Sequence, residues 1–346
     1  MISGSKRRCA MHNAKAIWML APRSITLVPE ELDALAPDAV AVQTAYSAIS
    51  QGTELLVYRG HVDAALALDL PTLAGSFAFP IKYGYALVGR IATHGSAVTS
   101  HQVGDRVFVL HPHQTFVHVP AASAQRIPDD VDTQAALFAA NMETAITIVH
   151  DLRPALGEVV VVMGLGIVGL LVSWILSRMQ GITVIAVDPL AWRQNVAQHL
   201  GIACVVHPDQ VADQVDLMTR QRGADAVVEV SGNPATLDIA ITLLAMEGRV
   251  IVASWYGTKD ATLQLGTHFH RKRIQLRASQ VGRLSPDLVP RWDYARRMQT
   301  VWQLLRDLPY QVLISHTVAF ADATAAYAMI DAGQPGVVQV VLHYEC

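Results

Sequence analysis

The sequence predicts an α/β protein with two domains, a β-barrel-like domain and a doubly wound parallel-sheet domain. Residues 14–120 contain short β-rich runs separated by glycines, which is typical of a compact β domain. After Ile127-Pro128, an alanine-rich stretch leads into alternating strand and helix patterns, which indicate a parallel sheet. We therefore assign residues 1–130, completed by 285–346, to the first domain and residues 131–284 to the second. With 346 residues, of which 52% are hydrophobic, the chain suffices for two cores.

The individual elements follow from these patterns. In the first domain we predict strands at Ala39–Ile49, Leu87–Ala92 and Arg106–Leu110. After the helix-prone stretch Asp132–Asp151, the second domain is predicted to have strands at Glu158–Met163, Thr183–Val187, Ala203–Val206, Ala226–Val230, Arg249–Ala253 and Ile274–Ala278. Its predicted helices are Ile167–Met179, Trp192–Leu200, Val211–Thr219 and Pro234–Leu244. The last segment should form a helix at Trp292–Leu308 and a strand at Val337–His343 that return to the first domain.

A glycine-rich turn lies between the first strand and the first helix of the second domain. Gly164, Gly166 and Gly169 follow four valines and precede an apolar run of helical length. In such a turn the first glycine allows a tight bend, the second allows close approach of a pyrophosphate, and the third allows helix and strand to pack closely. The phosphates would lie at the helix N-terminus, beside Ile167 and Val168. Asp188, at the end of the next strand, is placed to accept hydrogen bonds from an adenosine ribose. The turn therefore predicts a dinucleotide site.

A membrane span is the alternative for the same stretch, since Val159 to Ser177 is 19 residues without a charge. The glycine spacing favours a buried strand and helix instead. A net charge of −3 gives no indication of a nucleic-acid partner, and the clusters at 6–8 and 271–273 are expected to be solvated. Three scattered cysteines, at 9, 204 and 346, fit a reducing cytoplasm. The N-terminus has no signal peptide pattern, and the segment before Met11 is expected to be a disordered extension.

Six local motifs occur in a characteristic order: Gln51-Gly52-Thr53-Glu54, YGYALVG at 83–89, GDRVFVL at 104–110, GLGIVG at 164–169, GADAVVEVSG at 223–232 and VVQVVL at 337–342. Together they resemble the medium-chain dehydrogenase/reductase superfamily, the alcohol dehydrogenase-like proteins. The resemblance implies a GroES-like catalytic domain, a Rossmann domain, an active site between them, cofactor contacts that include Ser231, and a dimer with its contact near Arg249–Ala253 and the segment after it. The first two motifs are also similar to a branch that includes the bacteriochlorophyllide hydroxyethyl dehydrogenases, but the match is too short to indicate a substrate.

The chain departs from the zinc-bearing members at the metal positions. Where they have a cysteine, a histidine and a third ligand, this sequence has Gln51, Tyr85 and Ala140. Catalytic zinc needs three firm protein ligands and one open position. We therefore predict no catalytic zinc. The histidine pairs 111/113 and 268/270 would each share a face if they lay on strands, and a metal site there is the alternative.

Without zinc, a side chain must exchange the proton that accompanies hydride transfer. Thr53 matches the hydroxyl relay position of the family and is the first candidate. Tyr85 should face the cleft, and a nearby cation such as Lys82 would lower its pKa from about 10. His111 aligns with a pocket-lining position and is the rival donor. For Glu54 we expect a structural role, and Glu143 lies near the same motifs.

Cofactor choice depends on Asp188. A 2′-phosphate about 4 Å from this carboxylate would meet roughly 4 kcal/mol of repulsion per unit charge at an effective dielectric of 20, so NAD(H) is favoured over NADP(H). Arg193 would either soften this repulsion by bending toward a phosphate, stack on the adenine or lie in solvent. Trp255 and Tyr256 follow the fifth strand, and Gln280 follows the sixth, at the edge where ligands bind. These residues are candidates for contacts with the nicotinamide or the substrate.

The sequence therefore predicts a cytoplasmic, zinc-independent, NAD(H)-dependent oxidoreductase, a homodimer that interconverts a fairly apolar secondary alcohol and a ketone. An NADPH-dependent enone or quinone reductase is the alternative among enzymes. A nucleotide-binding pseudo-enzyme or redox sensor is the alternative outside catalysis.

Overall fold

The computed structural model describes residues 14–68 and 74–345. The basic cluster at 6–8, the predicted N-terminal extension and the cysteines at 9 and 346 lie outside the described residues. Within them, no helix has the length and apolar character needed to cross a membrane. The uncharged stretch 159–177 divides into a five-residue strand and an eleven-residue helix, in agreement with the interpretation as a buried strand and helix.

The second domain is built on a six-stranded sheet in which all pairs are parallel. Its strands are β8 (Val159–Met163), β9 (Thr183–Val187), β10 (Val205–Val206), β11 (Ala224–Glu229), β12 (Leu244–Val252) and β13 (Gln275–Ala278), in the spatial order β10-β9-β8-β11-β12-β13. The helices are α2 (Ala139–Leu152), α3 (Ile167–Ser177), α4 (Ala191–His199), α5 (Val211–Thr219) and α6 (Thr236–Thr242). All five residues of β8 are buried, as expected for a central strand with helices on both faces.

The first domain contains a two-stranded sheet of β1 (Ala14–Ala21) and β2 (Ser24–Glu30) and a larger sheet of seven strands. The larger sheet consists of β3 (Ala39–Ile49), β4 (Leu87–His94), β5 (Arg106–Val109), β6 (Phe116–Pro120), β7 (Ala124–Arg126), β14 (Ile314–Ala319) and β15 (Gln339–His343). Strand β15 pairs antiparallel with β3, so the end of the chain completes the first domain's sheet. The remaining α-helices of the described residues are α1 (Thr53–Tyr58), α7 (Tyr294–Asp307) and α8 (Ala323–Asp331).

Most predicted elements are confirmed, and the differences are at their ends. Strand Thr183–Val187 and helix Val211–Thr219 have the predicted bounds. The predicted helix Pro234–Leu244 is shorter, because Leu244 already pairs with Ala224 and begins β12 five residues early, with a register shift inside the pair. Gly181 and Gly201, which follow α3 and α4 in the chain, have φ values of 84° and 82°, in the left-handed region that favours glycine.

Candidate active site

The glycine loop is open on one side, where a ligand could bind. On the side that packs against the protein, it has no room for side chains. A Cβ on Gly169 would lie 1.9 Å from the Gly164 carbonyl oxygen, and one on Gly164, which has φ 102°, would lie 2.5 Å from Ser231 Cα. A Cβ on Gly166 would meet no protein atom within 4 Å. Gly166 is the N-cap of α3 and no side chain caps it, so the first-turn N–H groups of Ile167 and Val168 face this open space. The loop therefore fits a phosphate group.

Asp188 is tied to this loop and buried at 2% exposure. Its Oδ2 accepts a hydrogen bond from the backbone N–H of Leu165 at 2.8 Å, and its Oδ1 accepts one from Leu190 at 2.9 Å. The two bonds fix the carboxylate beside the glycine loop. Oδ2 also faces Arg193 Nη1 at 3.5 Å, whereas Oδ1 keeps a second lone pair that can accept a ribose hydroxyl.

A second buried carboxylate, Glu229, lies at the carboxyl end of β11, on the other side of the glycine loop. It accepts hydrogen bonds from the hydroxyls of Ser231 (2.5 Å), Thr236 (3.0 Å) and Tyr256. Burial, followed by the interaction with Glu229, raises the pKa of Tyr256. The sequence analysis did not single out Glu229. A charged residue within the apolar strand pattern VVEV was the signal that could have found it.

In the first domain, Tyr85 stands in a cluster of hydroxyl groups at the start of α1. Its phenol donates to Ser50 Oγ at 2.5 Å and also interacts with the side chain of Thr53. Burial raises the pKa of Tyr85 to about 12, and the nearby Glu54 adds to this effect. Tyr85 is therefore protonated near neutral pH, with two hydroxyl groups beside it.

Lys82 has a different position from the one considered above. Its ammonium pairs with Glu30 at 2.9 Å and lies 5.4 Å from the ring centre of Trp18. The pKa of Tyr85 is raised rather than lowered, and Lys82 is not among the groups that shift it, so the condition under which Lys82 would make Tyr85 more acidic is not met. Glu30, on β2, was not visible as its partner because the two residues are 52 positions apart.

His111 is buried, and its Nδ1 lies 2.9 Å from the carbonyl oxygen of Pro112. Because a carbonyl oxygen can only accept, Nδ1 carries the proton and Nε2 is an acceptor. Burial lowers the pKa of His111 to about 4. At neutral pH the ring is uncharged, and this bonding favours a role as hydrogen-bond acceptor over that of proton donor.

Beneath the hydroxyl cluster lies a buried network centred on Glu54, which is 0% exposed. His113 bridges this carboxylate (Nε2 to Oε1, 2.9 Å) and Ser47 (Nδ1 to Oγ, 2.7 Å). Glu54 also accepts the backbone N–H of Ser50 at 3.0 Å and the hydroxyl of Tyr327. The network thus holds the backbone of Ser50, which positions the partner of Tyr85. These contacts agree with a structural role for Glu54.

The three positions at which zinc-bearing members of the superfamily have metal ligands do not fit zinc in this chain. Ala140 offers no ligand atom, Tyr85 is engaged with Ser50, and the Gln51 side chain contacts Arg193 of the second domain. The pairs His111/His113 and His268/His270 lie outside the strands, so the shared strand face considered for them is wrong. Among the described residues, no group of three or more histidine, cysteine or acidic side chains is arranged to hold a metal.

The two domains meet around the cleft at further points. Trp255, 38% exposed, packs on Phe77 with ring centres 5.6 Å apart. Tyr83 lies 5.5 Å from Phe77 and 6.3 Å from Tyr85, so the four rings form a row that ends at the hydroxyl cluster. We call these four residues the aromatic row.

Gln280, the remaining sequence candidate, is exposed after β13, and its amide would lie 2.9 Å from a Cβ at Gly282. The neighbouring Ser279 binds Asp151 at 2.8 Å. Glu143, the other carboxylate near the motifs, forms an ion pair with Arg297. Neither Gln280 nor Glu143 has a described contact with the Tyr85 cluster.

A parallel sheet with an open glycine loop, joined across a cleft to a β domain that presents hydroxyl groups, defines the class of two-domain dehydrogenases. The family model described as "Zinc-binding dehydrogenase" matches residues 168–303. D-guloside 3-dehydrogenase of Escherichia coli (strain K12) is 27% identical over 340 residues, which cover 90% of this chain and 95% of that protein.

Two solved structures have the same fold with a TM-score of 0.76 each, and both comparisons cover 96% of this chain and 99% of the other. One is a short chain alcohol dehydrogenase of Escherichia coli CFT073 complexed with NADH (19% identical), and the other is a protein of Sinorhizobium meliloti 1021 bound to NADP (18% identical). Over most of its length the chain is thus similar to the oxidoreductases of the medium-chain dehydrogenase/reductase superfamily.

Proposed function

We propose that this protein is a zinc-independent, NAD(H)-dependent oxidoreductase that interconverts a secondary alcohol and a ketone, with Tyr85 as the proton donor. The observation that carries the proposal is the contact of the Tyr85 phenol with Ser50 Oγ at 2.5 Å, at a position where zinc-bearing relatives would have a metal ligand. A hydroxyl cluster replaces the metal as the group that neutralises charge on the substrate oxygen.

The chemistry of ketone reduction balances with the residues present. A bound nicotinamide supplies the hydride. As the carbonyl carbon accepts it, the electron pair of the C=O bond moves to oxygen, and the Tyr85 hydroxyl donates its proton there. Ser50 and Thr53, whose side chains contact the Tyr85 phenol, would then relay a proton from solvent to Tyr85, so that each hydroxyl regains its own proton. Because the pKa of Tyr85 is raised to about 12, its protonated donor form predominates near neutral pH.

The choice of NAD(H) is supported by Asp188. Its buried carboxylate is fixed beside the glycine loop, where the adenosine ribose would bind, and it would repel a 2′-phosphate. Arg193 Nη1 lies 3.5 Å from Asp188 and reduces this repulsion in part. Structures with the same fold contain NADH in one case and NADP in another, so the cofactor requires a direct measurement.

A fairly apolar substrate is supported by the aromatic row. Rings bury large apolar areas and pack against flat or branched hydrocarbon groups. The named substrate of the E. coli relative is instead a guloside. A paired screen of apolar ketones and sugar-derived ketones therefore tests this part of the proposal.

Metal-stripped protein would be titrated with NADH and with NADPH by energy transfer from its tryptophans. We expect tighter binding of NADH, no change on adding Zn²⁺, and reduction of an apolar ketone. Binding of neither nucleotide would refute the proposal, as would a rate that requires Zn²⁺. Turnover of enones alone would support the enone reductase, and binding without any turnover would support a sensor.

We also propose a homodimer. Strand β13 is an edge of the six-stranded sheet, next to β12, and its outer backbone groups are available for pairing with a second copy. Sedimentation analysis should give twice the mass of 37.5 kDa, and a monomer at micromolar concentration would contradict it.

A further inference from the structure

Gln51 and Arg193 meet across the cleft, one from each domain. Arg193 Nη2 donates to Gln51 Oε1 at 3.5 Å, while Nη1 lies 3.5 Å from Asp188. The Arg193 side chain is 25% exposed, and it bridges from the ribose-binding carboxylate to the position of the family's first zinc ligand. Arg193 thus spans the region between the two ends of the cofactor site.

The contact leaves two buried polar atoms without a hydrogen-bond partner, Gln51 Nε2 and Arg193 Nε. Both are N–H donors, and buried donors without acceptors are costly. A ligand that satisfies them must therefore bring acceptor oxygens, and beside a guanidinium those oxygens are best carried by an anion.

The open end of α3 lies close to the same place. Asp188, which holds Arg193, also binds the backbone N–H of Leu165, the residue before Gly166. An anion at Gly166 is thus near Arg193. We propose that Gln51 and Arg193 together bind the diphosphate of the dinucleotide, so that Gln51 is a cofactor ligand contributed by the first domain. This inference rests on the proposed function.

Binding of a diphosphate by Gln51 also agrees with the poor fit of position 51 to zinc. A thiolate at position 51 would hold a metal but would repel a phosphate, whereas the Gln51 amide is neutral and donates. A metal-binding side chain at position 51 binds a cation. With glutamine at this position, the site can bind an anion instead.

The test measures binding of NADH, ADP and adenosine by calorimetry to the wild-type protein and to variants. Gln51→Met keeps the side-chain volume but cannot donate, and it should weaken NADH and ADP about tenfold, the value of one good hydrogen bond. Gln51→Glu should weaken both by more than Gln51→Met. Adenosine, which lacks the diphosphate, should bind equally to all. Gln198→Ala, on the exposed side of α4, is the control and should change nothing.

Two failures are distinguishable. If the wild-type protein binds NADH and Gln51→Met binds it equally well, the diphosphate contact is refuted while the proposed function stands. Equal weakening of adenosine and ADP would also refute it, because the effect would then not involve the phosphates. If the wild-type protein binds no NADH, the proposed function itself fails.

Discussion

The glycine loop and the hydroxyl cluster lie in different domains, and they differ in what determines them. The loop is determined by backbone: Gly164 and Gly169 have no room for a Cβ, and the groups on its open side are main-chain N–H groups. The cluster is determined by side-chain ends, where Tyr85, Ser50 and Thr53 meet. A backbone site tolerates few sequences and leaves a recognisable spacing. A side-chain site can change its chemistry by substitution while its frame is kept, as we propose for Gln51, Tyr85 and Ala140.

The largest effect is expected from removing the phenol of Tyr85. Tyr85→Phe keeps the ring in the aromatic row but removes the proton donor, so kcat for ketone reduction should fall by about 10² to 10⁴. The Kd for NADH should stay within about twofold, because the glycine loop is untouched. Steady-state kinetics and NADH titration measure the two quantities. A kcat within threefold of wild type would remove Tyr85 from the mechanism.

The second test compares two glycines of one loop. Gly169→Ala puts a Cβ 1.9 Å from a backbone oxygen, so the free energy of unfolding should fall by about 3 kcal/mol or more, as for overpacked cores. Gly166→Ala meets no protein atom, so its stability should be close to that of wild type while NADH binding weakens at least tenfold. Denaturation and NADH titration of both variants separate packing from ligand contact. Normal NADH binding by Gly166→Ala would mean that the cofactor does not approach this residue.

The sequence predicted the glycine loop and the parallel sheet because both depend on local patterns. Val159–Met163 could be assigned as a buried strand from its composition. Asp188 could be placed beside the glycine loop because it ends the next strand. The contact between Gln51 and Arg193 could not be predicted, since it joins residues 142 positions apart in two domains. The position of Lys82 could not be predicted from the sequence either, because it depends on the ion pair with Glu30 of β2.

A third effect should appear in alkaline solution. Burial raises the pKa values of Tyr85, Tyr327 and Tyr344 above 10 in the folded state. Their contribution to stability is therefore complete below pH 10 and is lost as the pH rises from 10 toward each folded pKa. Each phenol should lower the free energy of unfolding by about 1.4 kcal/mol per pH unit in that window.

Urea denaturation between pH 8 and 11.5 measures this slope. In Tyr85→Phe the slope of the unfolding free energy against pH should be smaller by the contribution of one phenol. An unfolding free energy that stays constant to pH 11.5 would mean that these phenols ionise normally.

The smallest effect is expected at His111, and it separates the two candidate donors. Because burial lowers the pKa of His111 to about 4, the ring does not change charge between pH 5.5 and 9. The pKa of Tyr85, about 12, lies above the same range. The kcat for ketone reduction should therefore be flat from pH 5.5 to 9, and His111→Gln should change it less than about threefold, because an amide can still donate to the Pro112 carbonyl. A fall in rate above pH 6.5 that disappears in His111→Gln would instead identify His111 as the donor. Tyr85 would then only line the cleft, and proton transfer would take place at the loop after β5.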